Sequence, residues 1–165
     1  TIGVRPNLDA ALFKVSKESA VSSSQGGHYD TPTAVHDLDD DEDEGRLEVE
    51  KVGRSSGMTQ GTMVPRFLHP IEIEFKVTCF PDLGVTKKFE ASVFIDSLWA
   101  ANSGGAPFAS PGDSGALVVT RPVGDKARKA VGLVIAGTRD NSAMILPIQP
   151  ILEAFDVTLV SGHGV

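Results

Sequence analysis

The sequence predicts an all-β chain: one antiparallel β-barrel followed by a short helix near the C-terminus. Three observations predict it. Seven short strand-like runs recur through the second half, separated by turn residues, the pattern of a barrel or sandwich. The 165 residues include 17 glycines and 10 prolines, a density of chain-breaking residues that suits turns rather than long helices. The hydrophobic content of 41% fills one good core, whereas a two-barrel architecture needs roughly twice this length.

The expected strands, in order, are Arg46–Val52, Gly61–Phe67, Ile71–Phe80, Lys88–Ile95, Ala116–Thr120, Ala130–Ala136 and Ala143–Pro147. In the third, alternation is strict: Ile71, Ile73, Phe75 and Val77 fall on one face and Glu72, Glu74 and Lys76 on the other. That pattern predicts an outer strand with one wet face. After Pro150, Ile151, Leu152 and Phe155 interleave with Glu153 and Asp156, which predicts a short amphipathic helix before Val157–Val160.

The net charge of −7 is local in origin. Asp37, Asp39, Asp40, Asp41, Glu42, Asp43 and Glu44 supply seven of the 22 acids, and the remaining acids balance the 15 bases. Such a run repels itself and resists burial, so residues 16–46, rich in Ser, Gly, Thr and Asp, are expected to form a flexible acidic linker. The run lacks the glycine and terminal glutamate of a calcium-binding loop. Bases are neither in excess nor clustered with aromatics, which argues against nucleic acid as a partner. No stretch of 18 apolar residues predicts a membrane span, and Thr1–Val4 does not look like a signal peptide. The single cysteine, Cys79, excludes an internal disulfide and favours a reducing, cytoplasmic setting over a secreted one. In a strand, it reads as a small buried hydrophobe rather than a nucleophile.

The richest segment for chemistry is Pro111-Gly112-Asp113-Ser114-Gly115 before the apolar run Ala116–Val119. A serine hydroxyl attacks well only when a base takes its proton and donors await the oxyanion. A turn with glycines on both sides can expose Ser114 and direct backbone amides to the same place, while Asp113 anchors the loop. The alternative for these residues alone is an ordinary polar β-turn.

Four segments in order resemble chymotrypsin-like serine proteases, including the bacterial trypsin-like and plant Narrow Leaf 1-type enzymes. Gly112-Asp113-Ser114-Gly115 resembles the nucleophile turn, and Val131-Gly132-Leu133-Val134-Ile135-Ala136-Gly137 the returning strand along the substrate cleft. Val52-Gly53-Arg54-Ser55-Ser56-Gly57-Met58-Thr59 is similar to the strand that opens the second barrel. Asn7-Leu8-Asp9-Ala10-Ala11-Leu12 resembles the segment carrying the triad aspartate. The resemblance implies a chymotrypsin-like second barrel at 47–160, a remnant strand of the first barrel at 1–15, and a first barrel otherwise missing from the chain. It further implies Ser114 as nucleophile, Asp9 as the group orienting the base, and the Gly112 and Ser114 amides as the oxyanion hole. Phe108, Ile135, Ala136 and Gly137 would line an apolar substrate pocket. The substrate would be a protein or peptide, and no metal or organic cofactor would be needed.

The departure from the family is the base. His28, His36, His69 and His163 all read as loop or surface residues, so the catalytic histidine is expected outside this sequence. The alternatives are a non-catalytic module that captures peptides by strand addition along Gly132–Gly137, and a plain structural β-domain.

Overall fold

The computed structural model of the chain describes residues 9–39, 46–64, 67, 69–138 and 140–164. It is mostly strand, with one α-helix. Six antiparallel strands close into a barrel: β3 (Glu48–Gly53), β4 (Gly57–Val64), β7 (Trp99–Asn102), β8 (Leu117–Thr120), β9 (Ala130–Gly137) and β10 (Ser142–Pro147). Their order around the barrel is β10-β7-β4-β3-β8-β9. Closure leaves the barrel itself no long free edge, the usual solution for a small antiparallel sheet.

Period-2 alternation divides the core in two. Val49, Met63, Ala101, Phe108, Val118, Val131, Val134, Ala143 and Ile145 fill one cluster. Ile95, Leu98, Leu117, Val119, Ala130, Ile135, Leu146, Ile148 and Ile151 form the other. Strand β8 contributes to both, and all four of its residues are buried. The second cluster is covered partly by helix α1 (Ile148–Phe155), which contributes Ile148 and Ile151 and packs Leu152 and Phe155 against it. This helix starts earlier than Pro150 suggests. Pro150 occupies its first turn, where an amide has no intrahelical acceptor and a fixed φ is an advantage.

Three sequence expectations change. The strand expected at Gly61–Phe67 starts four residues earlier and runs Gly57–Val64. Trp99–Asn102 is a barrel strand that hydrophobic patterning passes over, because two of its four residues are alanines selected for fit: Ala100 and Ala101 are buried between β4 and β10. Conversely, the alternating run β5 (Ile71–Asp82) pairs with β6 (Val85–Ile95) in a separate two-stranded sheet and does not join the barrel. Near its base, Ile71, Ile73 and Val93 pack on the second core cluster. Farther out, Phe80, Leu83 and Phe89 are exposed, so the pair forms an arm.

The expected remnant strand at 1–15 lies outside the described residues as far as Leu8; residues 9–15 are neither helix nor strand, though Ala10 packs on the second cluster. Within the expected linker, residues 16–39 hold a 3-10 turn at Glu18–Ala20 and a hairpin of β1 (Ser24–Gln25) and β2 (Tyr29–Asp30). Val35 bridges to Ala130 of the barrel. The hairpin is also tied to the chain's end: Ser161 Oγ and the Gly162 amide donate to the Asp30 carboxylate at 2.7 and 2.6 Å. Bonds from the Ser23 and Ser161 hydroxyls and the Gly162 amide hold Asp30 down to a pKa of about 2. Residues 40–45 of the acidic run lie outside the described residues.

Candidate active site

The tight connection Arg54–Ser56 between β3 and β4 faces the loop that carries Ser114. Asp113 joins them. Its side chain is buried and accepts five hydrogen bonds. Oδ1 receives the amides of Ser55 and Ser56 at 2.7 and 3.2 Å. Oδ2 receives the Ser110 amide at 2.9 Å, the Ser56 hydroxyl at 2.6 Å and Lys51 Nζ at 3.1 Å. Lys51 and Asp113 side chains are both fully buried. Burial alone would raise the Asp113 carboxyl, but the Ser56 hydroxyl, the Ser110 and Ser55 amides and Lys51 outweigh it and hold it well below the usual carboxylate range.

Anchoring Asp113 inward leaves its neighbour Ser114 exposed on the outer side of the turn. Gly112 (φ 103) and Gly115 (φ 84) flank the pair in the left-handed half of backbone space, where a side chain would be strained. At Gly112 the space is also occupied, because a β-carbon would meet Ser55 Oγ and lie 3.0 Å from the Arg54 guanidinium.

The amides of the turn alternate in their commitments. Asp113 donates to the Ser110 carbonyl at 3.0 Å, and Gly115 to the Val134 carbonyl at 2.7 Å. Among the described residues, the Gly112 and Ser114 amides have no acceptor within the chain. These two uncommitted donors lie beside one exposed hydroxyl at the cleft, where an incoming acceptor can reach them. Ser114 Oγ itself donates to the Ile135 carbonyl at 3.3 Å.

A cleft of about 400 Å³ opens beside the hydroxyl, lined by Pro107 and Ala109–Gly112 on one side and Val134–Thr138 on the other, in part. Of the expected pocket residues, Ile135, Ala136 and Gly137 line it. Phe108 does not. It is a fully buried core residue whose ring lies 5.7 Å from Lys51 Nζ and whose carbonyl accepts Thr59 Oγ1. Strand β9 pairs with β8 from Ala130 to Leu133, and Val134 bonds Gly115 and Ala116, so half of the Gly132–Gly137 edge on that side is already taken and only the part beyond Ile135 is open towards the cleft.

Asp9 is exposed and lies outside the cleft lining. None of the histidines lines it either. His28 is exposed in the β1–β2 turn, His36 lines a separate cleft with Asp37 and Trp99, His69 is exposed, and the His163 ring bonds the Glu18 carbonyl at 2.9 Å. Among the described residues, no group of three or more His, Cys, Asp or Glu side chains could hold a metal ion.

Lys51 and Ser56 are the residues of this network that sequence reading missed. A signal was available, because Val49, Lys51 and Gly53 share one face of β3, which puts the lysine in phase with the core. Glu50 occupies the opposite face, buried and paired with Arg128 Nε at 2.6 Å.

No family model matches the chain, and no curated protein matches it.

Proposed function

We propose that the chain carries the nucleophile of a serine endopeptidase, as the second barrel of a chymotrypsin-like enzyme. The observation that supports this reading best is the alternation of amides around Ser114: Gly112 and Ser114 uncommitted, Asp113 and Gly115 bonded. In this reading Ser114 Oγ gives its proton to a base outside the described residues and attacks the scissile carbonyl. The carbonyl oxygen, now an anion, takes hydrogen bonds from the Gly112 and Ser114 amides. Collapse of the tetrahedral intermediate expels the amine, which takes the proton from the same base, and water then releases the acyl group. Asp9 would orient the base. The substrate chain lies along the open edge of β9 beyond Ile135, and the lining by Ala109, Val134, Ile135 and Ala136 favours small or apolar side chains before the scissile bond.

One observation favours a second reading, a non-catalytic module that retains the peptide cleft: among the described residues, no histidine lines the cleft. A fluorophosphonate probe of serine nucleophiles separates the two. Applied to the full-length gene product, with Ser114→Ala as control, it is expected to modify Ser114. Saturable peptide binding without modification would instead establish the binding module, and neither would sink both.

A further inference from the structure

We infer that Lys51 is a positioning residue for the Ser114 turn: its ammonium is a resident countercharge, built into the barrel wall, that keeps Asp113 inward and the Gly112 and Ser114 amides uncommitted. The inference rests on the endopeptidase reading for its catalytic consequence, and on geometry alone for its structural one.

The argument starts from charge. Asp113 lies out of water, and four of its five hydrogen-bond donors are neutral: two backbone amides of the β3–β4 connection, the Ser110 amide and the Ser56 hydroxyl. Lys51 is the only cation among the described residues within ion-pair distance of it. A buried carboxylate without a countercharge is strongly unfavourable, so the inward position of Asp113 depends on this one side chain. Lys51 is equally constrained. Its Nζ lies 2.6 Å from Ser56 Oγ, 3.1 Å from Asp113 Oδ2 and over the Phe108 ring, with no second acid in reach among the described residues.

The link to Ser114 is covalent and short. Asp113 sits between Gly112 and Ser114, the two residues whose amides lack acceptors, so moving its side chain outward turns both peptide groups with it. Because the cation belongs to β3, the turn is assembled when the barrel closes. The Gly53–Ser56 segment, which resembled a barrel-opening strand, thus acquires a second role as the receptor for Asp113.

Two variants test this. Lys51→Met combined with Asp113→Asn removes both charges and avoids stranding either one; Lys51→Ala leaves a cavity that a small alkylammonium ion can enter. Hydrogen exchange measured by NMR on this chain should show the double variant with core amides such as Val118 and Ile145 protected as in the parent. Its Gly115 amide, bonded to Val134 in the parent, should exchange at least about 10-fold faster. In the full-length product, fluorophosphonate modification of Ser114 should slow by about 100-fold, with peptide kcat falling and KM steady. Ethylammonium should restore at least about 10-fold of the Lys51→Ala loss, which a general loss of stability would not allow. Parent-like Gly115 exchange and modification in the double variant would overturn the inference. Should the parent itself resist modification, the endopeptidase reading fails, and the exchange measurement still decides whether Lys51 sets the turn.

Discussion

Gly53 lies directly against the Asp113 carboxylate, so that a β-carbon at position 53 would fall on the carboxylate oxygens. The absence of a side chain in β3 is therefore a condition for the buried ion pair beneath Ser114.

Gly53→Ala should expel Asp113 and leave Lys51 buried without its partner, at a cost of about 3–5 kcal/mol. Gly57→Ala is the comparison, since its φ is 65° and its surroundings are open; there only backbone strain counts, about 1–2 kcal/mol. Urea unfolding followed through Trp99, the only tryptophan, measures both. Equal losses would mean that Asp113 is not held where the structure puts it.

Acid should weaken the turn in a defined window. The folded Asp113 carboxyl titrates below its unfolded value, so its contribution is complete above the unfolded value of about 3.9 and is lost as pH falls towards the lower folded one. The stability gap between the parent and Asp113→Asn should hold steady from about pH 7 to pH 5 and narrow below about pH 4. Carboxylates such as Asp30 titrate in both proteins and cancel. A gap independent of pH down to about 2.5 would contradict the assigned network.

Tyr29 offers the alkaline counterpart. Burial, with the nearby Glu50 charge, pushes its phenol up to about 12 against the pull of Arg128, whose guanidinium lies 4.5 Å from the ring centre. A raised folded value means that stability is complete below the unfolded value of about 10 and lost as pH rises through the folded one. Tyr29 is the only tyrosine, so tyrosinate absorbance reports it alone. The signal should stay silent at pH 10.5 and appear near pH 12 or with unfolding; half-titration at pH 10 would show that the ring is not packed on the second core cluster.

The β5–β6 arm should be separable from the barrel. Phe75 faces Ala91 across the pair, so removing 76–90 and closing that rung with a two-residue turn leaves the base, where Ile71, Ile73 and Val93 touch the core. The barrel's unfolding free energy should change by less than about 1 kcal/mol. A larger loss would mean that the outer arm is packed against something the core depends on.

Much of the barrel was legible because its strands carry their burial in their residues. Leu117–Thr120, Ala130–Gly137 and Ser142–Pro147 lie within a residue of where their apolar runs place them. Trp99–Asn102 was not legible, since alanines chosen to fit a tight interior carry no strand signal. Strict alternation in Ile71–Val77 foretold one wet face but could not say which sheet the strand would join. At the site, the turn chemistry of Gly112–Gly115 was readable locally. The partnership of Asp113 with Lys51 and Ser56 was not, because it joins segments that meet only in the closed barrel.

That distance along the chain has a kinetic meaning. The bonds that fix Asp113 span 57 to 62 residues to the β3–β4 region, and only the Ser110 bond is local. Long-range closures of this kind come late in folding, after their loop entropy has been overcome. A nascent or partly unfolded chain therefore holds the Gly-Asp-Ser-Gly sequence without its shaped turn, and on the endopeptidase reading the serine stays a plain alcohol until the β3–β4 connection meets its loop. Reactivity at Ser114 would then report completed folding, and a misassembled barrel would be silent rather than indiscriminate.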